Sequence, residues 1–278
     1  MLKEESLFLL KKGTKLVLSI PTNMIRPYIL AETNWKHLKD ANIELAILPW
    51  GATEAHNYHL PYGTDVYEAD YVAAESARKA YEQNANIIVL PTVPFGVNTG
   101  QSDIYLDINL NPSTQIAMLA DIIEVLDRQG IKKLMVLNTH GGNDFKTLLR
   151  ELGLRFPEMF LCTVNWFQTL DKTKYFEHMG DHADEMETSV MLKLQPDLVL
   201  EKVHWGEGKE KKHRIAEVQE PWLWVERKWS KVTEDTGIGN PALSTAEKGE
   251  TFLKDSTDKI AQAMIKICDM NISNMYES

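Results

Sequence analysis

The chain has 278 residues, 44% of them hydrophobic and 25% charged, with a formal net charge of −10. This length and composition suit one large globular domain with a sizeable core. The acidic balance argues against a nucleic-acid-binding surface, which needs a basic stripe. It does not exclude an anionic substrate, because a bound metal can dominate the local field.

Cysteine content and the amino terminus indicate the compartment. The chain has two cysteines, Cys162 and Cys268, which lie far apart in the sequence. They therefore define no disulfide framework and suit a reducing cytosol. The apolar runs before residue 21 are too short for a signal peptide or a membrane span. We therefore expect a cytoplasmic protein that binds neither a membrane nor nucleic acid.

Apolar runs alternate with amphipathic stretches along the chain, which predicts a three-layer α/β/α single domain around a mostly parallel sheet. This domain is predicted over residues 31–275, after an amino-terminal extension at residues 1–30. Residues 104–110 favour either a strand or an extended loop. The strands are predicted at 43–49, 87–90, 134–137 and 160–164. The helices are predicted at 35–39, 66–80, 112–128, 145–154, 185–194 and 246–268.

The segment between the first confident strand and the helix at 66–80 carries two carboxylates and two histidines. Glu54, His56 and Asp65 offer oxygen and nitrogen ligands, a mixture that suits zinc, manganese or iron(II). The loop after a parallel strand is also where open α/β sheets place their ligands. These features favour a metal-dependent hydrolase, with His59 as a candidate for substrate contact.

A second cluster directly follows the strand predicted at 134–137. His140 lies at the carboxyl end of that strand, and Gly141 and Gly142 allow the backbone to approach a ligand or metal closely. If a helix begins near Asn143, free N–H groups of this turn can stabilise an oxyanion. Gly141, Gly142 and Asn143 are therefore candidates for substrate or oxyanion contacts.

A third cluster contains His182 and Glu187. These residues are five apart, so on one regular helix they would point about 140° from each other. A shared site therefore predicts that His182 precedes the helix and that Glu187 lies in its early turns. Both are candidate catalytic residues.

Each of these residues also has an ordinary structural interpretation. Asp65 could be only a helix N-cap, and Glu54 could pair with a surface lysine. His140 could be a neutral core histidine, while Asp184 and Glu187 could be acidic residues favoured at a helix start. Three separate strand or loop ends each carry a histidine together with an acid or glycine, and this recurrence favours a common site.

Residues 201–235 differ in character, being rich in lysine and glutamate and containing four tryptophans. The segment is too short for a second domain. It predicts a lid, a partner surface or a solvated excursion, and the sequence leaves these three open.

The clusters resemble the creatininase (creatinine amidohydrolase) family, in the family's order and over about residues 30–265. The first block has the pattern Gly-x-Thr-Glu-x-His and then His-Leu-Pro-x-Gly-Thr-Asp. The blocks Asn-x-His-Gly-Gly-Asn and His-Ala-x-Glu-x-Glu-Thr-Ser and the tail 237–249 also match. The resemblance implies a three-layer α/β/α fold, two divalent metal ions per subunit (Zn, Mn or Fe), and usually a homo-oligomer, a hexamer included.

Carried over by position, the resemblance implies that Glu54 and His140 hold one metal and His56 the other, with Asp65 bridging both. His182 matches the position implied to act as acid or base beside the substrate.

One departure concerns the second metal. Creatininase proper has a glutamate ligand two residues after the metal-binding histidine, where this chain has Gly142. The wider family shares this departure, and Glu187 is the replacement that the resemblance implies.

Two further departures argue against creatinine as the substrate. The chain has Asn57-Tyr58 where the family commonly has Gly-Pro, and Gln101-Ser102-Asp103-Ile104 where it commonly has Glu-His. We therefore expect a small cyclic amide or a related molecule.

The expected reaction is attack of a metal-bound hydroxide on a ring carbonyl, after which His182 protonates the leaving nitrogen. N–H groups near Gly141 and Gly142 would hold the oxyanion. One alternative is hydrolysis of a cyclic ketone or an ester-type polyol derivative at the same two-metal site. An alternative of another class is a non-catalytic, metal-binding oligomeric scaffold.

Overall fold

The protein forms three layers, with a parallel sheet between two layers of helices, in a computed structural model that describes residues 25–277. The strands are β1 (Leu45–Trp50), β2 (Ile87–Val89), β3 (Lys133–Asn138) and β4 (Phe160–Asn165). The four strands have the order β2-β1-β3-β4, and every neighbouring pair is parallel. The predicted α/β/α fold with one domain is confirmed.

Both faces of the sheet are covered because alternate side chains of each strand point to opposite sides. The α-helices of the described residues are α1 (Trp35–Leu38), α2 (Thr64–Tyr81), α3 (Pro112–Arg128), α4 (Phe145–Arg155), α5 (Glu185–Leu194), α6 (Trp229–Val232) and α7 (Ala246–Asp269). Ile47 of β1 packs in a core that includes residues of α2, α5 and α7, whereas Leu48 packs in a second core with residues of α3 and α4. None of these helices combines the length and apolarity that a membrane crossing requires.

Residues 104–110 form turns with isolated bridges and no continuous strand, so the extended-loop alternative describes them. Most of the predicted extension, residues 1–24, lies outside the described residues. In its described part, Tyr28 accepts a hydrogen bond of 2.7 Å from the backbone N–H of Val89, which ties it to the edge strand β2.

The loops after β1 and β3 meet at one edge of the sheet. Trp50 and Asn138, the last residues of the two strands, lie side by side in register. The hydroxyl of Thr139 donates a 2.7 Å hydrogen bond to the backbone carbonyl of Asp65, which fixes the start of α2 against the end of β3. This edge of the sheet therefore collects the first two clusters.

Helix α5 brings in the third cluster and is itself held by α7. At Gly249 of α7, an added Cβ would lie 2.1 Å from the carbonyl oxygen of Ser189 in α5. Only glycine permits the two backbones to approach this closely. The contact fixes α5, and Glu187 with it, against the body of the domain.

Candidate metal centre

Side chains from four separate elements meet at the carboxyl ends of β1 and β3. Glu54 and His56 lie in the loop after β1, Asp65 in the first turn of α2, His140 after β3, and Glu187 in the first turn of α5. All five are buried. Buried carboxylates require compensation by positive charge or hydrogen bonds, so this arrangement is not that of ordinary surface residues.

The distances within the cluster are those of groups arranged around shared cations. His140 Nδ1 lies 2.8 Å from Glu54 Oε1 and 3.1 Å from Asp65 Oδ2. His56 Nε2 lies 3.3 Å from Asp65 Oδ1. Potential ligand atoms lie within 4.8 Å of one another in the group Glu54, Asp65 and His140, and likewise in the group His56, Asp65 and Glu187. Asp65 belongs to both groups, as a bridging carboxylate would.

In His56, His140 and His182, one ring nitrogen faces the carboxylates (the inner nitrogen) and the other points away from them (the outer nitrogen). Each outer nitrogen lies next to a backbone carbonyl oxygen. A carbonyl can only accept, so these nitrogens carry the hydrogen and the inner nitrogens hold a lone pair when the ring is neutral. A lone pair facing a carboxylate is repulsive unless a proton or a metal ion lies between them. The outer nitrogens are His140 Nε2, His56 Nδ1 and His182 Nε2, which lie 3.0, 3.1 and 2.8 Å from the carbonyl oxygens of Val97, Glu54 and Ala55.

The pKa values of His56 and His140 also show that the cluster favours a bound positive charge. Burial alone would lower the pKa of His56, but the charges of Asp65 and Glu54 outweigh it and raise that pKa to about 10. The pKa of His140 is raised by the same two carboxylates against the effect of burial. His56 Nε2 is fully buried and makes no hydrogen bond to the described residues. These donors therefore fit divalent metal ions, which replace the protons that the histidines otherwise hold.

Gly142 leaves no room for the glutamate that creatininase proper has at this position. A Cβ there would lie 2.3 Å from the Val97 carbonyl oxygen and 2.5 Å from His140 Nε2. These two atoms form the hydrogen bond that holds the His140 ring, and glycine at position 142 leaves room for that bond. The nearby Glu187 carboxylate has the geometry to serve instead, and burial raises its pKa to about 8 despite the opposing charge of His56.

Helix α5 begins as the third cluster requires. Asp184 is its N-cap and accepts hydrogen bonds from the backbone N–H groups of Met186 (2.9 Å) and Glu187 (3.1 Å), so the structural interpretation holds for Asp184. His182 precedes the helix, and Glu187 lies in its first turn. Ala183 between them has a φ of 48°, a left-handed conformation that is unfavourable for alanine and turns His182 towards the cluster.

His182 lies beside the cluster and lines a cavity that Glu54, Asp65, His140 and Glu187 also line. Its ring centroid is 4.2 Å from that of His56, and its Nδ1 is 3.8 Å from Glu54 Oε1. Burial and the charge of His56 lower its pKa. Glu54, His56 and His182 also form a third group with metal-holding spacing, so His182 has the position either of a proton carrier or of a ligand.

Gln101 is the main residue that sequence reasoning missed. Its amide Nε2 donates to Glu54 Oε2, which leaves Oε1 to face His140. Gln101 is buried, so its amide fixes the orientation of that carboxylate. The only signal for it in the sequence was its place in a departure from the family pattern.

The glycines of the second cluster line the cavity, and so does Asn143. The amide oxygen of Asn143 accepts from the Val97 N–H at 3.0 Å and from Gln115 Nε2 at 2.8 Å. This side chain therefore connects loops. Helix α4 begins at Phe145, as predicted, two residues after Asn143.

His59 lies apart from the residues that line the cavity. Its Nε2 lies 2.9 Å from the Thr188 hydroxyl, and its ring stacks on Trp205 with centroids 4.8 Å apart. Burial lowers its pKa to about 4. This position gives no support to a substrate contact and indicates a neutral packing residue.

Residues 224–230, which we call the roof segment, lie over the cavity of their own chain. Trp224 and Trp229 line the cavity, and the Trp229 ring meets His182 edge to face at 4.7 Å. Glu226 accepts a 2.8 Å hydrogen bond from the Thr99 hydroxyl on one side of the cavity. Among the three alternatives for residues 201–235, this part has the position of a lid.

Comparison with known proteins identifies the family. The family model described as creatininase, creatinine amidohydrolase, matches residues 31–264. The chain belongs to the creatininase family. A Pseudomonas putida creatinine amidohydrolase is 24% identical over 202 residues, which cover 63% of this chain and 75% of that protein.

Solved structures extend this likeness. A Bacteroides fragilis protein, classed as a candidate creatinine amidohydrolase, is 39% identical with a TM-score of 0.85, over 91% of this chain and all of its own. A creatininase in its manganese form is 21% identical with a TM-score of 0.71, over 85% of this chain and 97% of its own. A mutant creatininase of zinc–zinc type is also 21% identical, with a TM-score of 0.69, over 85% of this chain and 96% of its own. At such identities the last two likenesses concern the fold.

Proposed function

We propose that this creatininase-family protein is a metal-dependent amidohydrolase that opens a C–N bond in a small cyclic amide. The observation that carries the proposal is the orientation of three buried histidines. His56, His140 and His182 each donate an outer N–H to a backbone carbonyl and turn the inner nitrogen towards Glu54 or Asp65. Outer partners of this kind set the tautomer and the ring orientation of metal-binding histidines.

The two groups that share Asp65 would each hold one ion. Glu54 and His140 complete the first group, and His56 and Glu187 complete the second. The manganese and zinc forms of related creatininases support these metals as candidates. When bound, such ions polarise a carbonyl oxygen and lower the pKa of water towards neutrality.

His182 is the proton carrier in this proposal. Its Nε2–H is held by the Ala55 carbonyl at 2.8 Å, so the proton that moves is held at Nδ1. A lowered pKa keeps the ring largely neutral at pH 7, ready to take a proton and pass it to the leaving nitrogen. Trp229 covers the ring and limits the access of water to it.

Gly141 and Gly142 line the cavity beside His140, where their N–H groups are candidates for oxyanion binding. Hydrolysis of a cyclic ketone or ester would use the same two-metal geometry, and no observation favours that reaction or a non-catalytic scaffold over the amide reaction. Assembly into a homo-oligomer, a hexamer included, stays a prediction. Light scattering coupled to gel filtration would measure the mass of the assembly.

The test is metal content per chain, measured on protein purified without chelator. We expect near two ions in the parent and near one in Glu187→Gln. Glu151→Gln, an exposed change on α4, is the control and should match the parent. A panel of cyclic amides and cyclic diketones then separates the reaction types. A parent that binds no metal after incubation with zinc or manganese would overturn the proposal.

A further inference from the structure

The cavity beside the metal centre is larger than one small ring requires. Its volume is about 860 Å³, and it extends from Glu54 and Asp65 to Trp224 in the roof segment. This lies towards the upper end of the range for pockets that bury drug-sized ligands. A substrate that fills the cavity would therefore carry a substituent beyond the reacting ring.

Two cationic side chains line the cavity, Lys172 and Arg227. Arg227 is already engaged, because its Nη1 lies 2.9 Å from Asp181 Oδ2 and its guanidinium lies 4.8 Å from the centre of the Trp229 ring. Within residues 25–277, the Lys172 ammonium makes no hydrogen bond and no ion pair. Lys172 is thus a half-buried cation without a fixed protein partner.

The backbone around Lys172 is well held. The Asp171 carboxylate accepts hydrogen bonds from the N–H (3.2 Å) and hydroxyl (2.7 Å) of Thr173, and the Lys172 carbonyl accepts from the buried Phe176 at 3.0 Å. A fixed backbone places the base of the side chain on the cavity wall and leaves its end free to meet a ligand.

Asp184 is not an ion-pair partner of Lys172. Burial raises the pKa of Asp184, and the charge of Lys172 opposes that shift from a distance. The Asp184 carboxylate, however, is committed to the N-terminus of α5 through its bonds to Met186 and Glu187. Its separation from Lys172 exceeds that of an ion pair, so the ammonium is still available.

We infer that the substrate carries an anionic group, a carboxylate or a phosphate, that binds Lys172 while its ring lies at the metal centre. The inference rests on the proposed function, because the metal centre defines where the ring lies. An ammonium binds either anion as a compact charge. The arms of the experiment distinguish the two.

The experiment compares three hydantoins: hydantoin itself, its 5-carboxymethyl derivative and its 5-phosphonomethyl derivative. Binding to metal-loaded protein is measured by calorimetry and by quenching of tryptophan fluorescence. In the parent, we expect at least one anionic probe to bind about tenfold tighter than hydantoin or more, and the tighter one identifies the anion. Raising the salt concentration should reduce the preference.

Lys172→Met should remove this preference, and Lys172→Arg should restore most of it because it keeps the charge. Lys174→Met is the matched control, since Lys174 is an exposed lysine of the same turn that does not line the cavity. It should keep the preference of the parent.

The inference is overturned if the probes bind equally, if none binds, or if the two methionine variants behave alike. Metal content and hydrolysis of the probes are followed in parallel. Protein that binds two ions and hydrolyses hydantoin without preferring an anion would leave the proposed function intact and reject only the role of Lys172. Protein that binds no metal and hydrolyses none of the probes would reject both the proposed function and the role of Lys172.

Discussion

The metal centre and the roof segment are built in different ways. Glu54, His56 and His140 are buried in the loops that follow two central strands, and backbone carbonyls orient the two histidines. The roof segment is irregular backbone up to Trp229, where α6 begins, and it carries exposed side chains, Trp224 among them at 79% exposure. It is held by side-chain contacts such as the ion pair of Arg227 with Asp181.

This contrast separates two tasks. A site that must hold charges at fixed distances needs a rigid frame, and the strand ends supply one. A surface that selects among substrates tolerates irregular backbone, because loops change sequence without disturbing the core. We therefore expect changes in the cluster to affect turnover or metal binding, and changes in the roof segment to affect substrate binding.

The largest effect should come from His182, where the two regions meet. His182→Ala should lower kcat by about 10²–10⁴-fold with metal content unchanged, because the proton carrier is lost. Trp229→Leu should cost less and act mainly on KM. Steady-state kinetics with metal analysis checks both. An unchanged kcat in His182→Ala would remove it from the mechanism, and a lost ion would make it a ligand.

Gln101 tests whether the cluster depends on its outer contacts. Gln101→Leu removes the donor to Glu54 Oε2 and should weaken metal binding or activity about 10–100-fold. Competition with a chromogenic chelator measures the affinity. The neighbouring exposed change Ser102→Ala is the control. Equal affinity in Gln101→Leu and the parent would show that the carboxylate is oriented by other contacts.

His59 links the cluster region to pH. Its pKa of about 4 in the folded protein lies below the usual value of about 6.5. The unfolded chain therefore binds the proton first, and stability present above pH 6.5 is lost as the pH falls towards 4. The full loss is about 3 kcal/mol.

Urea unfolding at a series of pH values, with chelator present, measures this loss. His59→Gln should show a flatter dependence between pH 6.5 and 4, because the titrating group is absent. An equally steep dependence in the variant would assign the loss to other groups.

The smallest effect concerns the frame behind the cluster. Gly249→Ala places a Cβ against the Ser189 carbonyl and should lower the free energy of unfolding by about 1–3 kcal/mol. Gly153→Ala in α4 meets no atom within 4 Å and should raise it by about 0.5–1 kcal/mol. Denaturant titration measures both changes in the free energy of unfolding. If the two variants changed it in the same direction, the close contact assigned to Gly249 would be contradicted.

Much of the fold was predictable because its signals are local. The all-apolar run at 134–137 and the period of the helix at 112–128 each predict one element without knowledge of the rest. Residues 104–110 were ambiguous because alternation also occurs in loops that make isolated bridges. The three-layer order then follows from alternation of strands and helices.

The site was predictable only in part. Glu54, Asp65 and His140 were singled out because carboxylates and histidines after strands are rare enough to be informative. The carbonyls that orient the histidines carry no side-chain signal, so no sequence pattern identifies Val97 or Ala55 as acceptors. The placement of the roof segment likewise depends on contacts between distant residues, which no local periodicity encodes.

The two groups that share Asp65 have a consequence for folding. Their members lie between positions 54 and 187, so the cluster assembles only after long stretches of chain have been closed into loops. Ions held there would bind the folded chain and not the unfolded one, and by mass action would stabilise the closed topology. The first ion would thus act as a reversible cross-link between the loops after β1 and β3 and helix α2, and the second between the loop after β1, α2 and α5.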